Sequence, residues 1–205
     1  MTADHFLPVD VSRETFERLQ TFAGLVRKWT KKINLVSKTS SADVWNRHIR
    51  DSLQLLTHFP EDPRHYVDLG SGGGFPGIVL AIALKKAHPS TAVTLIESDK
   101  RKAAFLRTAA QTLDLSCRVL AKRIEDVQPQ SADVVTARAL APLNELLSYV
   151  QHHLSPDGIA LLPKGVAYED ELQTALASWR FSLEKRTSVT DPAGVILKIG
   201  ALVLA

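Results

Sequence analysis

The chain of 205 residues has one cysteine and one methionine, and aromatic side chains make up only 6% of it. A single cysteine excludes an intrachain disulfide and suits a reducing, cytoplasmic setting. Cys117 lies in the apolar stretch 115–120 and reads as a buried strand residue rather than a nucleophile. No Cys/His group has metal-ligand spacing, so no metal is expected. No uninterrupted apolar run reaches membrane-spanning length. The opening residues, MTADHFLPVDVSR, lack the apolar core of an export signal. Internal repeats and low-complexity segments are missing as well. What remains is an ordinary soluble composition, 45% hydrophobic and 23% charged, long enough for one α/β domain with a small appendage.

Glycine is unevenly spread: five of the ten lie within the eight residues 70–77. Tyr66 to Gly77 read YVDLGSGGGFPG. Tyr66, Val67 and Leu69 look like a strand, and Pro76 followed by the apolar run 78–84 starts a helix. Strand, glycine turn and helix in that order open a nucleotide-binding α/β unit. Two frames fit. Gly72, Gly74 and Gly77 satisfy a dinucleotide fingerprint, with Glu97 about 20 residues on, where a ribose-binding acid is expected. Asp68, Gly70, Gly72 and Gly74 instead resemble the first motif of class I methyltransferases, and this frame begins where the strand ends. Asp68 sits at the ligand end of a strand buried on both faces, and a buried carboxylate needs a partner. The cationic amino acid end of S-adenosylmethionine would supply one, directly or through water.

The first sixty residues read as helical. Phe16, Leu19, Phe22, Val26 and Trp29 form one apolar stripe, with Ser12 as N-cap. A second helix is expected from near Ser41 or Asp43, with Val44, Trp45, His48, Ile49, Ser52, Leu53 and Leu56 inward. From Tyr66, strands (66–69, 92–96, 117–120, 133–137, 159–162) alternate with helices (76–87, 100–113, 142–152, 168–179). That rhythm implies a mostly parallel sheet covered on both faces. Residues 181–187 and 195–203 read as a closing hairpin with one antiparallel strand. The organisation expected is an N-terminal helical extension over 1–64 and a Rossmann-like domain over 65–205.

In such sheets the ligand lies outside the carboxyl ends of the strands. These ends supply Gly70 to Gly74 with Phe75, then Glu97, then Ile124 with Glu125, then Arg138. Glu97 can accept both ribose hydroxyls, or cap the next helix. An adenine ring can lie against Ile124, with a nearby carboxylate at its edge. Arg138 stands among small residues, without the Asn/Asp-Pro-Pro-aromatic run that holds an exocyclic amine, and no cysteine pair offers covalent attack. An acceptor with an exposed lone pair, such as guanine N7, needs no general base, so positioning would carry the catalysis. Net charge is only +3, yet Arg27, Lys28, Lys31, Lys32, Lys38, Arg47 and Arg50 face a single acid, Asp43, within residues 27–50. With His48 these form a candidate phosphate footprint, or a solvated helix face. Arg123 and Lys164 are further candidate RNA contacts at the cleft rim.

Several pieces in order carry a resemblance over nearly the whole chain: Ile33-Asn34-Leu35, His48 with Asp51-Ser52-Leu53, the Asp68-to-Gly77 loop, Lys102 with Phe105-Leu106, Arg138-Ala139 with Ala141, and Lys164-Gly165 followed by Glu169 and Glu171. The chain resembles the bacterial 16S ribosomal RNA guanine-N7 methyltransferase family RsmG (glucose-inhibited division protein B, GidB). Leu140 stands where valine is common. The resemblance implies a class I methyltransferase fold, S-adenosyl-L-methionine as methyl donor and S-adenosyl-L-homocysteine as product. It implies a guanine of 16S ribosomal RNA or the small ribosomal subunit as target; a monomer in the cytoplasm is expected. It puts cofactor contacts on Gly70, Phe75, Ile124, Glu125 and Arg138. Without a basic C-terminal tail, RNA contacts fall to the N-terminal region and the cleft rim. Three alternatives stay open: a small-molecule methyltransferase, an NAD-dependent oxidoreductase on the late glycine frame, and an RNA-binding protein without catalysis.

Overall fold

The computed structural model describes residues 7–37 and 43–205. Lys38 and Ser41 lie outside the described residues. Helix α1, Arg13–Thr30, starts where Ser12 Oγ accepts from the Thr15 backbone N–H, and it buries Leu19, Phe22, Ala23 and Val26. The second helical segment is not one regular helix. It is a π-helical turn (Trp45–Arg50), a single α-turn (Asp51–Leu53) and a 3-10 stretch (Gln54–His58). These changes of pitch rotate the inward face, so Leu55 is buried and Leu56 only partly so.

The remainder alternates strand and helix. In chain order come β1 (His65–Leu69), α2 (Gly77–Ala87), β2 (Ala92–Ile96), α3 (Lys100–Thr112), β3 (Cys117–Leu120) and β4 (Ala132–Ala137). Next follow α4 (Leu143–His153), β5 (Leu154–Lys164), α5 (Tyr168–Leu176), β6 (Trp179–Thr187) and β7 (Val195–Leu204). The sheet has seven strands in the order β3-β2-β1-β4-β5-β7-β6. β1 to β5 pair in parallel, whereas β7 runs antiparallel to both β5 and β6. The order reverses between β1 and β4, which opens a crevice at their carboxyl ends.

Successive strand side chains point to opposite faces, and the core divides accordingly. Tyr66, Val93, Leu95, Val134 and Leu161 pack with α1, the second helical segment, α2 and α3. Val67, Ile96, Val135, Ala160 and Leu162 pack with α4 and α5. The N-terminal helices thus share one apolar cluster with the sheet. Phe22 of α1 is fully buried, with its ring 5.3 Å from Phe75 of the glycine loop.

Two boundaries differ from the sequence expectation by more than two residues. Strand β5 begins at Leu154, five residues early, through Ser155-Pro156-Asp157-Gly158, and its register against β4 shifts between Ala132 and Val134. Trp179 leaves the preceding helix and opens β6, where it is buried with its indole N–H donated to Asn144 Oδ1. Cys117 lies on β3, half-buried, with burial pushing its thiol pKa up to about 12. No described helix is long and apolar enough to cross a membrane.

Candidate active site

The loop after β1 is held in place by its neighbours. Gly70, Gly72 and Gly74 have positive φ, at 63°, 51° and 84°. Such a backbone strongly disfavours a side chain at Gly70 and Gly72. A Cβ on Gly70 would lie 2.6 Å from Leu140 Cδ1, whereas one on Gly72 would meet nothing closer than 3.7 Å. Among the described residues, Gly72 therefore presents bare backbone to open space. Glu97, at the end of β2, ties the loop down. Its Oε2 accepts from the Gly72 N–H at 2.7 Å, and its Oε1 from the Asp99 N–H at 2.8 Å. Asp99 is the N-cap of α3, so Glu97 acts in the loop and beside the cap together.

A cleft of about 430 Å³ opens against this loop. Gly70, Gly72, Phe75, Glu97, Ile124, Glu125, Arg138 and Arg123 line it, bringing together eight residues singled out from sequence. Ser98, Lys102, Glu145 and Tyr149 line it too. Lys102 had entered only as part of a motif, and the other three were missed. Glu145 and Tyr149 stand one turn apart on α4, with the tyrosine hydroxyl donating to Glu145 Oε1. That i,i+4 spacing was the available signal.

Asp68 and Gly74 are not in the cleft. Asp68 is fully buried beneath the loop, where Oδ1 accepts from Thr136 Oγ1 at 2.6 Å. Its other oxygen faces the start of α2, where a Cβ on Gly77 would come within 2.5 Å. Burial raises its pKa to about 6, against the opposing Thr136 hydrogen bond. Asp68 thus lies beneath the loop rather than in the cleft, with Thr136 meeting one of its oxygens. A Cβ on Gly74 would meet Phe22 and Ile78 at 2.9 Å, so that glycine permits packing. The late dinucleotide frame is disfavoured by Gly74, which would have to lie against a pyrophosphate but packs on Phe22 and Ile78 instead.

Arg138, at the end of β4, joins three parts of the chain. Its Nη1 donates to Asp51 Oδ2 at 3.1 Å, its Nη2 donates to His48 Nδ1 at 3.0 Å, and its Cζ lies 5.5 Å from the centre of the Phe75 ring. His48 stacks on Phe75 at 4.8 Å. Asp51 belongs to a sequence motif that gave it no role. Its Oδ1 accepts from Gln54 Nε2 and from Thr190 Oγ1, both at 2.8 Å. The Gln54 side chain in turn accepts from the Val189 N–H and donates to Ser188 Oγ. The next residue after Arg138, Ala139, holds φ of 50° without being glycine, a strained geometry at the rim of the cleft.

The basic residues separate into groups. Lys28, Lys31, Lys32, Arg47 and Arg123 are exposed. Lys164 is instead held beneath the 138–142 loop, donating to Ala141 O at 3.0 Å and to Glu171 Oε2 at 2.7 Å. Its side chain is 11% exposed and engaged in both bonds, where the sequence offered it as a candidate RNA contact at the cleft rim. Arg50 is half-buried and donates to Asn46 Oδ1.

His48 titrates abnormally. Burial first, then the charges of Arg138 and Arg47, lower its pKa from 6.5 to about 4. The folded protein therefore binds this proton less readily than the unfolded chain. The stability this adds is complete above pH 6.5 and is lost as pH falls toward 4. Asp68 has the opposite sign, so the two must be separated. Urea unfolding of wild type and His48→Gln at pH 7 and pH 5 is expected to show a stability difference that shrinks on acidification. A difference independent of pH would mean that His48 is not held neutral.

The family model described as GidB, rRNA small subunit methyltransferase G, matches residues 15–196. Ribosomal RNA small subunit methyltransferase G of Cereibacter sphaeroides is 51% identical over 194 residues, covering 95% of this chain and 94% of the relative. Its Ruegeria pomeroyi counterpart is 50% identical over 191 residues, covering 93% of each. Among solved structures, a SAM-dependent methyltransferase from Aquifex aeolicus superposes with a TM-score of 0.61 at 14% identity, covering 84% of this chain and 97% of that one. TYW2 of M. jannaschii, in complex with AdoMet, gives 0.60 at 17% identity, covering 83% and 78%. Those two likenesses concern the fold alone. The family model and the two close relatives span almost the whole length, and on that basis the chain belongs to the rRNA small subunit methyltransferase G family.

Proposed function

We propose that this chain transfers a methyl group from S-adenosylmethionine to the N7 of one guanine in small-subunit ribosomal RNA. The observation that carries the reading is the cleft beside Gly72, where bare backbone, an acid at the rim and an apolar side chain converge. The donor set fits the cofactor. Glu97 already accepts two loop N–H groups, yet a carboxylate has about four lone-pair sites, so the ribose hydroxyls still find acceptors. Ile124 offers an apolar face to adenine, and Glu125 and backbone groups lie at its edge. When bound, the cofactor supplies an electrophilic methyl on a sulfonium sulfur, and its transfer to N7 leaves S-adenosylhomocysteine and a positively charged 7-methylguanine, with no proton released.

The chain's own residues then have to orient rather than ionise. The ridge Arg138-Ala139-Leu140-Ala141 borders the cleft and carries no carboxylate, imidazole or amine. His48 Nδ1 is occupied by Arg138, and Asp51 is paired with it, so neither is poised to take a proton. This supports an acceptor that already carries a lone pair. Arg138 is a positioning residue: its planar fork spans Asp51 and His48, and a lysine ammonium cannot reproduce both bonds. Exposed Lys28, Lys31 and Lys32 follow α1 to Leu35, whose carbonyl would lie 2.9 Å from a Cβ on Gly73. That proximity supports RNA phosphates being held beside the cleft, with Arg47 and Arg123 as further contacts. In this reading the chain acts as a monomer in the cytosol, on 16S ribosomal RNA or the small ribosomal subunit.

The chemistry is tested with ribosomal RNA from cells lacking this protein. Wild type is expected to leave one 7-methylguanine, detected as strand scission at the alkali-labile base. Arg138→Lys and Arg138→Ala are both expected to lose at least about tenfold in single-turnover rate, roughly 1.4 kcal/mol or more of barrier, while remaining folded. Methylation on an exocyclic amine or ribose oxygen, or full activity in the lysine variant, would contradict the assignment. The RNA surface is tested by salt dependence. Neutralising Lys28 with Lys31 is expected to flatten the slope of log affinity against log salt by roughly 0.7–0.9 for each phosphate no longer neutralised, with S-adenosylhomocysteine affinity unchanged. An unaltered slope would return those lysines to a merely solvated face.

A further inference from the structure

A second cleft, of about 540 Å³, lies on the other side of the Arg138–Ala141 ridge. The two clefts share those four residues and no others. The far wall of the second cleft is the loop between β6 and β7, which carries Ser188, Asp191 and Gly194 into it. That loop is fixed against the ridge. The Val189 N–H donates to Gln54 Oε1 at 2.9 Å, and Thr190 Oγ1 donates to Asp51 Oδ1 at 2.8 Å, while Asp51 holds Arg138. A methyl acceptor must come within bonding distance of a donor held on the opposite side of this ridge. The second cleft shares that ridge with the first, so a base seated in it presents one edge to the ridge.

The acids of this cleft differ in what they have left to offer. Asp51 is taken up by Arg138, Gln54 and Thr190. Glu171 Oε2 accepts from Lys164 and from the Leu143 N–H. Asp191 is exposed, and among the described residues its one side-chain hydrogen bond, at Oδ1, comes from the Ala193 N–H within its own turn. A carboxylate accepts only, so its natural complement is a pair of adjacent donors. Among the bases, the N1–H and 2-amino group of guanine offer that pair on the Watson–Crick edge. Adenine presents a ring acceptor at N1, which a carboxylate repels. N7 lies on the opposite edge of the same purine. A guanine gripped at its Watson–Crick edge by the far wall therefore turns N7 toward the ridge. A base must leave its stack to be read in this way, and reading the Watson–Crick edge in a pocket is how enzymes acting on extruded bases choose their target.

We infer that the second cleft receives the unstacked target guanine, with Asp191 accepting from N1–H and the 2-amino group and N7 facing Ala139–Ala141. The inference rests on the chain being a guanine-N7 methyltransferase. It makes Asp191 a specificity residue, with no part in bond making.

The test replaces the target guanine by inosine, which keeps N7 and N1–H but lacks the 2-amino group. Substrates are small-subunit RNAs ligated with guanosine or inosine at that position, used free or reconstituted into subunits, whichever form wild type methylates. Wild type is expected to methylate the inosine substrate with kcat/KM at least about tenfold lower. Asp191→Asn is expected to lose about tenfold on the guanine substrate and to discriminate little between the two. Asp191→Glu should retain part of the preference. S-adenosylhomocysteine affinity should match wild type in both variants, which also reports an intact fold. A wild-type guanine-to-inosine ratio preserved in Asp191→Asn overturns the inference, as does a wild type indifferent to the 2-amino group. Failure of wild type to methylate any guanine-containing form would instead overturn the reading of the chain as an N7 methyltransferase, and this inference with it.

Discussion

The arrangement depends on the Arg138 guanidinium. It is the point where the end of β4, the Trp45–His58 segment and the glycine loop meet, through Asp51, His48 and Phe75. The Arg138 side chain is only 19% exposed, and a guanidinium so far withdrawn from water is costly unless its donors are matched. Asp51 meets it with one oxygen and uses the other to hold Gln54 and Thr190. One ion pair thus fixes the ridge between two clefts and the loop beyond it. His48 stays neutral in this setting, which lets its Nδ1 accept from arginine.

Sequence motifs far apart in the chain meet at the glycine loop. Leu35 packs on Gly73, Leu140 on Gly70, and Phe22 on Gly74. His48 stacks on Phe75, and Glu97 accepts from Gly72. Below the loop, a buried chain runs from the Tyr66 hydroxyl to Thr136 and on to Asp68. Each contact removes freedom from a segment that is entropically costly to order, and a preorganised loop gives up less on binding. The N-terminal helices therefore contribute to the cleft as well as to the core.

Much of this was legible in the residues. The strands could be read because their apolar residues are short runs bounded by turn signals, and the strand ends located Gly72, Glu97, Ile124 and Arg138 without knowledge of the pairing. The irregular pieces could not. The π-helical turn at Trp45–Arg50 breaks the 3.6 period that the expectation relied on. Ser155-Pro156-Asp157-Gly158 hides the start of β5 behind turn-forming residues. Asp68 was read as a buried acid in need of a partner; Thr136, 68 residues away, meets one of its oxygens, and no local pattern announces it. Lys164 looked like a free cation because Glu171 and the Ala141 carbonyl reach it only after folding. The same holds for Gln54, whose partners at 188 and 189 are fixed by sheet order alone.

The division of labour across the Arg138–Ala141 ridge is the central claim, and a crystal structure with S-adenosylhomocysteine bound tests it most directly. The expected result is ribose at Glu97, adenine at Ile124, and the homocysteine sulfur directed at the ridge, with the Asp191 side left open for the base. S-adenosylhomocysteine seated instead between Lys164 and Asp191, with the Gly72 cleft empty, would contradict it.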